Sequence, residues 1–255
     1  MASGIDHVVI AVTDPDAAAA ELTETVGLAF TAGGRHAGLG TFNRIAFLGD
    51  AYLELMGVED AAEAAGWTIG SAAVQALERG GGFSTYGLVD DGIRNSVARL
   101  QVNGSGIGPV VHGSRERLDG ERVEWWTASP PQLGPDRPPF LIKHLAAGAE
   151  WGADALAARR AFVHPLGAPV RLLGIEIGLP EPFGLAAACA RQLDLEFTAV
   201  GETGEGGGAV RVGPHAIVLT PTASSRLKIT LGVLGPVPER VATTLGVEFV
   251  ARGAG

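Results

Sequence analysis

The sequence predicts an α+β fold assembled from βαβββ modules, two of them forming a cup and a third related module following. Three observations predict it. Residues 14–32 (DPDAAAAELTETVGLAFTA) and 181–199 (EPFGLAAACARQLDLEFTA) share length, an acidic-Pro start, an Ala-rich middle and a Phe-Thr-Ala end. Self-similarity of this kind bears on architecture before any single residue is read. Each copy follows a β-rich run, residues 5–12 (IDHVVIAV) or 172–179 (LLGIEIGL), and each is followed by short apolar runs broken by Gly, Pro and Asp.

In chain order, the run at 5–12 is the first strand. The segment from Asp14 is the first helix, because Pro15 tolerates the missing N–H of a first turn. Residues 41–48 (TFNRIAFL) and 51–58 (AYLELMGV) form a hairpin across Gly49-Asp50. Residues 59–79 have helical spacing, with Trp67, Val74 and Leu77 as packing positions. A weaker second copy follows: a strand at 83–89, a helix at 93–102 whose Ile93, Val97 and Leu100 share one face, and strands at 108–112, 121–128 and 139–145. The Pro-rich stretch 130–139 is a loop within it. Residues 149–167 read as a helix plus connector, and the third module takes strands at 209–212, 215–220 and 226–233 after its helix. The expected organisation is therefore a two-module domain at 1–147 (modules 1–60 and 81–147), a connector at 148–167, and a degenerate third module at 168–252.

A length of 255 residues suits one large domain or two small ones, and 46% hydrophobic with 18% charged residues marks a folded globular chain. The net charge of −9 argues against a nucleic-acid or anionic membrane partner and favours a small-molecule ligand. One cysteine, Cys189, leaves no disulfide or thiolate zinc framework. With neither a secretory pattern at the start nor an apolar run long enough to span a bilayer, the expected setting is cytoplasmic. The glycine runs at 80–82 and 206–208 read as loops.

Three stretches, IDHVV at 5–9, GGRHAGLGTFNR at 33–44 and GDAYLEL at 49–55, make the chain resemble the vicinal-oxygen-chelate superfamily. The closer resemblance is to its glyoxalase-like branch, which sits beside the bleomycin-resistance and dihydroxybiphenyl-dioxygenase types. The resemblance covers the first 60 residues well, residues 81–147 less well, and residues 168–252 only as an echo. It implies a cup of two modules around a divalent metal (Zn, Ni, Mn or Fe), with ligands on the first and last strands of each module. It also implies that His7 and Glu54 are ligands, with Glu54 able to double as a catalytic base.

The residues add an independent argument: a Glu between Leu53 and Leu55 in a core strand is costly to bury without a partner. Strand periodicity groups His7 with Ile5 and Val9, and Glu54 with Tyr52 and Met56. Glu54 paired with Arg44, and His7 as a hydrogen-bonded core histidine, is the alternative. The second module's first strand offers only Phe83, Ser84, Thr85 and Tyr86, so its last strand decides. There His144 would complete a three-ligand site, whereas Lys143 in that place would neutralise Glu54 and replace the metal. Candidate substrate-binding groups are Arg35, His36, Thr41, Asn43 and Arg44 in the Gly-rich segment, one of the adjacent Trp125 and Trp126, and Lys143.

Two functions follow from this reading. One is a metal-assisted lyase, isomerase, epimerase or dioxygenase acting on a small oxygenated molecule. The other is a non-catalytic sequestration protein without metal, like the drug-binding resistance relatives. The third module has Gly174 where the first has His7, so it is expected to pack on the first pair or to meet its counterpart across a homodimer.

Overall fold

The computed structural model describes residues 2–117, 119–200, 207–235 and 238–254. Gly206, in the second glycine run, lies outside the described residues. Strand β1 (Gly4–Ala11) leads to helix α1 (Pro15–Thr25) and strands β2 (Thr31–His36), β3 (Thr41–Leu48) and β4 (Ala51–Val58). Helices α2 (Ala61–Ala65) and α3 (Thr68–Glu78) follow. Next come β5 (Gly82–Val89), α4 (Ile93–Val102), β6 (Val111–Glu116), β7 (Arg122–Ala128) and β8 (Phe140–His144). After α5 (Gly148–Trp151) and α6 (Ala153–Ala161), the chain continues through β9 (Val170–Leu179), α7 (Pro182–Leu193), β10 (Thr198–Ala199), β11 (Gly208–Val212) and β12 (His215–Pro221). It ends with β13 (Arg226–Leu234), β14 (Arg240–Thr244) and β15 (Val247–Ala254). None of the described helices is long and apolar enough to cross a membrane.

Local chemistry accounts for the proline starts of the first and third module helices. In α1 the Asp14 carboxylate accepts from the N–H groups of Asp16 and Ala17, and Pro15 occupies the first turn; α7 likewise has Pro182 in its first turn, but Glu181 before it makes no side-chain cap. The hairpin between β3 and β4 turns on Gly49, whose φ of 69° is costly for any residue with a Cβ.

Strands β1 to β8 close into a barrel in the order β1-β4-β3-β2-β6-β7-β8-β5. β1 runs parallel to β4, with His7 opposite Tyr52, and β5 runs parallel to β8, with Gly87 opposite Phe140. On the antiparallel β1–β5 side, Ile5 faces Leu88 and His7 faces Gly87, so Asp6 is an extra residue, a β-bulge. The bulge corrects the simple periodicity. Ile5 joins the outer apolar cluster with Val8 and Ile10, while Val9 packs in the inner one and His7 lines the barrel cavity.

The remaining strands form an open sheet, β10-β11-β12-β9-β13-β15-β14. Here β12, and not the 226–233 segment, runs parallel to β9 in the place that β4 takes beside β1. The 226–233 segment lies in β13, antiparallel to β9 as β5 is to β1, and it pairs in parallel with β15. The bulge also recurs: Thr230 faces Gly174 and Leu231 faces Leu172, leaving Leu173 unpaired. Leu173 and Gly174 thus stand where the barrel has Asp6 and His7. Val218, opposite Glu176, stands where the barrel has Glu54 opposite Val9. The sheet keeps the backbone device without its polar side chains.

A single apolar cluster joins barrel and sheet. It contains Val8, Ile10, Leu53 and Leu55 from the barrel wall, Leu22, Val97 and Leu185 from the helices, and Ile175, Ile217, Ile229 and Phe249 from the sheet. Cys189 is fully buried within it, and burial pushes its thiol up to about 12, out of the reactive range.

Candidate functional site

Alternation along each strand sends one set of side chains into the barrel. From β3 these are Asn43, Ile45 and Phe47; from β4, Tyr52, Glu54 and Met56; from β7, Val123, Trp125 and Thr127; and from β8, Phe140, Ile142 and His144. They enclose a cavity of about 40 Å³, room for about three water molecules. Trp67 and Ile69 from the α2–α3 segment and Glu150 and Trp151 from α5 complete its wall.

A continuous line of polar side chains crosses this otherwise apolar space. The His36 ring Nδ1 lies 2.7 Å from the Thr41 hydroxyl. The Asn43 amide accepts from the Gly34 N–H at Oδ1, and its Nδ2 donates to Glu54 Oε1 at 2.6 Å and lies 3.3 Å from His36 Nε2. That pattern assigns His36 as the Nδ1–H tautomer. Burial drives the His36 pKa down to about 4, with Glu54 opposing and Arg115 and His7 adding to the drop, so the ring is neutral at pH 7.

Glu54 Oε2 lies 3.4 Å from His7 Nε2, and His7 Nδ1 is 2.6 Å from Asp6 Oδ1. The same Asp6 oxygen is 3.1 Å from His144 Nε2. Burial alone would raise the Asp6 carboxyl, but the charge and hydrogen bonds of His144 and His7 override it and hold the group well below the usual carboxylate range. Aromatic rings fix the imidazoles: His7 stacks on Tyr52 at 4.4 Å and His144 on Trp151 at 3.5 Å.

The bulge explains how two neighbours on one strand reach the same space, since the unpaired Asp6 is freed from strict alternation. A close approach of backbones supports Asn43. Gly33 sits at φ 62°, and a Cβ there would fall 1.9 Å from the Asn43 carbonyl oxygen.

Of the residues singled out from sequence, His7, His36, Asn43, Glu54, Trp125 and His144 line the cavity, and Thr41 supports His36. The others lie elsewhere. Arg35 is 71% exposed and paired with Glu59, and Arg44 turns outward to Asp16 at 2.7 Å rather than to Glu54. Trp126 packs against the outer cluster and His112. Lys143 alternates with Ile142 and His144, which line the cavity, so it is on the opposite face of β8 and does not neutralise Glu54. Asp6, Tyr52 as a stacking partner, Arg115, Glu150 and Trp151 lay outside the sequence reading; all but Asp6, which backs His7 and His144, line the cavity. Asp6 carried a usable signal, an acid inside an apolar first strand. Arg115 did not, because a run of charges after Gly113 reads as loop.

Could the donors hold a metal? Two ligands each about 2.1 Å from a divalent ion stand about 3 to 3.4 Å apart when they occupy adjacent coordination positions. The His7–Glu54 separation of 3.4 Å falls at that spacing. When Asp6 accepts from Nδ1–H and Nε2 carries no proton, His7 turns its Nε2 lone pair toward a carboxylate, the donor chemistry a cation satisfies. The pair therefore fits one. The second module adds nothing at the symmetric places, which are Gly87 and Ile142. His144 directs Nε2 at Asp6, and no group of three His, Cys, Asp or Glu side chains gathers around one point among the described residues.

Residues 5–193 match the glyoxalase-like domain family. No curated protein matches the chain. Among solved structures, a hypothetical protein from Staphylococcus aureus superposes over 98% of this chain and 99% of its own, with a TM-score of 0.79 at 14% identity. A mutant of 4-hydroxymandelate synthase from Streptomyces coelicolor covers 100% of this chain and 94% of its own, with a TM-score of 0.55 at 12% identity. Methylmalonyl-CoA epimerase from the same organism covers 56% of this chain and 97% of its own, with a TM-score of 0.42 at 17% identity. Identities this low bear on fold alone.

Proposed function

The chain belongs to the glyoxalase-like domain family, and from that membership we propose that its barrel binds a small oxygenated molecule and moves a proton on it with the help of a divalent ion held by His7 and Glu54. The observation that carries this reading is the 3.4 Å approach of His7 Nε2 to Glu54 Oε2, with His7 Nδ1 engaged by Asp6. A divalent ion there supplies a Lewis acid that polarises a carbonyl or enediolate oxygen. Asp6 holds His7 in the tautomer that leaves Nε2 free and orients its ring. Asn43 fixes Glu54 through Oε1, leaving Oε2 to bind a cation or accept a proton at that atom. The apolar wall of Ile142, Phe140, Ile45 and Met56 excludes bulk water, which strengthens every charge interaction inside it.

The test is the metal content of protein purified without added metal, in the wild type and in His7→Ala. About one divalent ion per chain, lost in the variant, supports the reading; equal content in both, or none in either, removes it. A second reading, binding without chemistry, draws on Gly87 and Ile142, which leave the second module with no ligand at the positions symmetric to His7 and Glu54. It predicts a metal-free protein that still binds small molecules in the barrel.

A further inference from the structure

Resting on the reading that this cavity takes a small oxygenated molecule, we propose that Arg115 is the anchor for a carboxylate on that molecule, which makes the ligand a short-chain organic acid. Arg115 comes from β6, where it pairs with Val123, and it lines the cavity with its side chain only 4% exposed. One side of its guanidinium is engaged: Nη2 donates to Glu150 Oε2 at 2.5 Å. Nη1 is buried with no hydrogen-bond partner. A guanidinium is a planar fork of N–H donors that stays charged at any accessible pH and matches the two oxygens of a carboxylate. A buried charged donor left unmet is unfavourable, and a ligand oxygen at Nη1 would remove that penalty.

The surroundings fix the orientation. Glu150 is shared, since its Oε1 takes Arg117 Nη1 at 2.8 Å, and Arg117 also pairs with Asp119 at the surface. Glu150 is therefore held on both sides and does not swing across to cover Nη1. Arg159 is stacked 4.0 Å from the Phe47 ring and 4.5 Å from the Trp151 ring and donates to the carbonyl oxygens of Glu150 and Asp50, which adds positive charge near the Trp151 wall. Glu54 and Glu150 in the lining, with Asp6 behind His7, supply the negative groups. An anion therefore docks its carboxylate at Arg115 and turns its other oxygens toward His7 and Glu54. The cavity of about 40 Å³ suits a small acid.

Pyruvate, acetate and acetone are the probes, followed by intrinsic fluorescence, because Trp67, Trp125 and Trp151 line the cavity. Pyruvate and acetate are expected to give saturable changes and acetone, which lacks the carboxylate, none. Arg115→Gln should weaken pyruvate at least tenfold. Arg115→Lys, which keeps the charge but not the fork, should weaken it several-fold, and it keeps the test informative if the Gln variant fails to fold. Arg99→Gln, altering a surface pair with Asp194 away from the cavity, should leave pyruvate binding unchanged. The proposal is overturned if acetone responds like pyruvate, if pyruvate gives no saturable change, or if a folded Arg115 variant binds it within twofold of the wild type. Arg115 does not contact His7 or Glu54 in the polar line, so metal content read on the same samples separates failure of this anchor from failure of the metal reading.

Discussion

Asp6 shows how much a single side chain organises here. Its one oxygen serves both His7 and His144, and with His7 beside Glu54 and Asn43 holding Glu54 the five groups form a chain in which each member sets the next. Half of this was legible in the sequence. Glu54 stood out as an acid in an apolar strand, Asn43 lay in the Gly-rich polar segment and the family resemblance pointed to His7 and His144, but strict alternation put Asp6 on the face opposite His7, because the bulge that frees it depends on pairing with β5, about eighty residues away. Asn43→Ala leaves Glu54 Oε1, Gly34 N–H and His36 Nε2 each short of a partner. It should cost about 2 kcal/mol of stability, read as a lower urea midpoint at unchanged slope. Asp6→Asn keeps the shape but replaces one acceptor oxygen with an amide, and it should weaken divalent-ion binding by about tenfold or more, measured by equilibrium dialysis.

At the scale of elements, repeated backbone geometry outlasts repeated chemistry. The bulge after the first residues of β1 recurs in β9, with Leu173 and Gly174 in place of Asp6 and His7, so one cradle carries polar side chains and its echo does not. The starts of α1 and α7 and the hairpin at Gly49 could be read from sequence because their signals are local. β2 and the second half of β6 could not, since glycines and charges there resemble loop until Asn43 and Val123 supply their pairing partners. Gly33→Ala and Gly38→Ala separate the two kinds of glycine. Both sit at positive φ, near 62° and 68°, but only Gly33 has backbone where the Cβ would go. Gly38→Ala should cost about 1 kcal/mol and Gly33→Ala about 2 kcal/mol or more, compared by chemical denaturation.

Across the whole molecule, the barrel and the open sheet are held together by one apolar cluster and by histidines acting as acceptors. Ile5 N–H donates to His215 Nδ1 at 2.9 Å, and Ala29 N–H donates to His164 Nδ1 while His164 Nε2 donates to the Phe47 carbonyl. Burial lowers both histidines, His215 to about 4. Below a pH of about 6.5 the unfolded chain takes up these protons and the folded one resists, so the stabilisation is complete above 6.5 and is lost as pH falls toward 4. Urea midpoints should therefore decline over that window, and His215→Gln, whose amide oxygen still accepts from Ile5, should flatten the decline. Removing residues 168–255 would strip the cover from Val8, Ile10, Leu53 and Leu55, and the truncated chain is expected to aggregate or bind a hydrophobic dye on gel filtration. The sequence repeat pointed to this second unit. Its strand order did not follow from sequence, because β12 and β13 are both short β-rich runs and only pairing with β9 tells them apart.

The most direct test of the central claim, that His7 and Glu54 act as a pair toward a cation, is a titration with Co²⁺ followed by its visible absorption. The wild type should develop a spectrum that saturates at about one equivalent per chain, and Glu54→Gln and His7→Ala should each abolish it. A spectrum that fails to saturate, or one unchanged in Glu54→Gln, would contradict it.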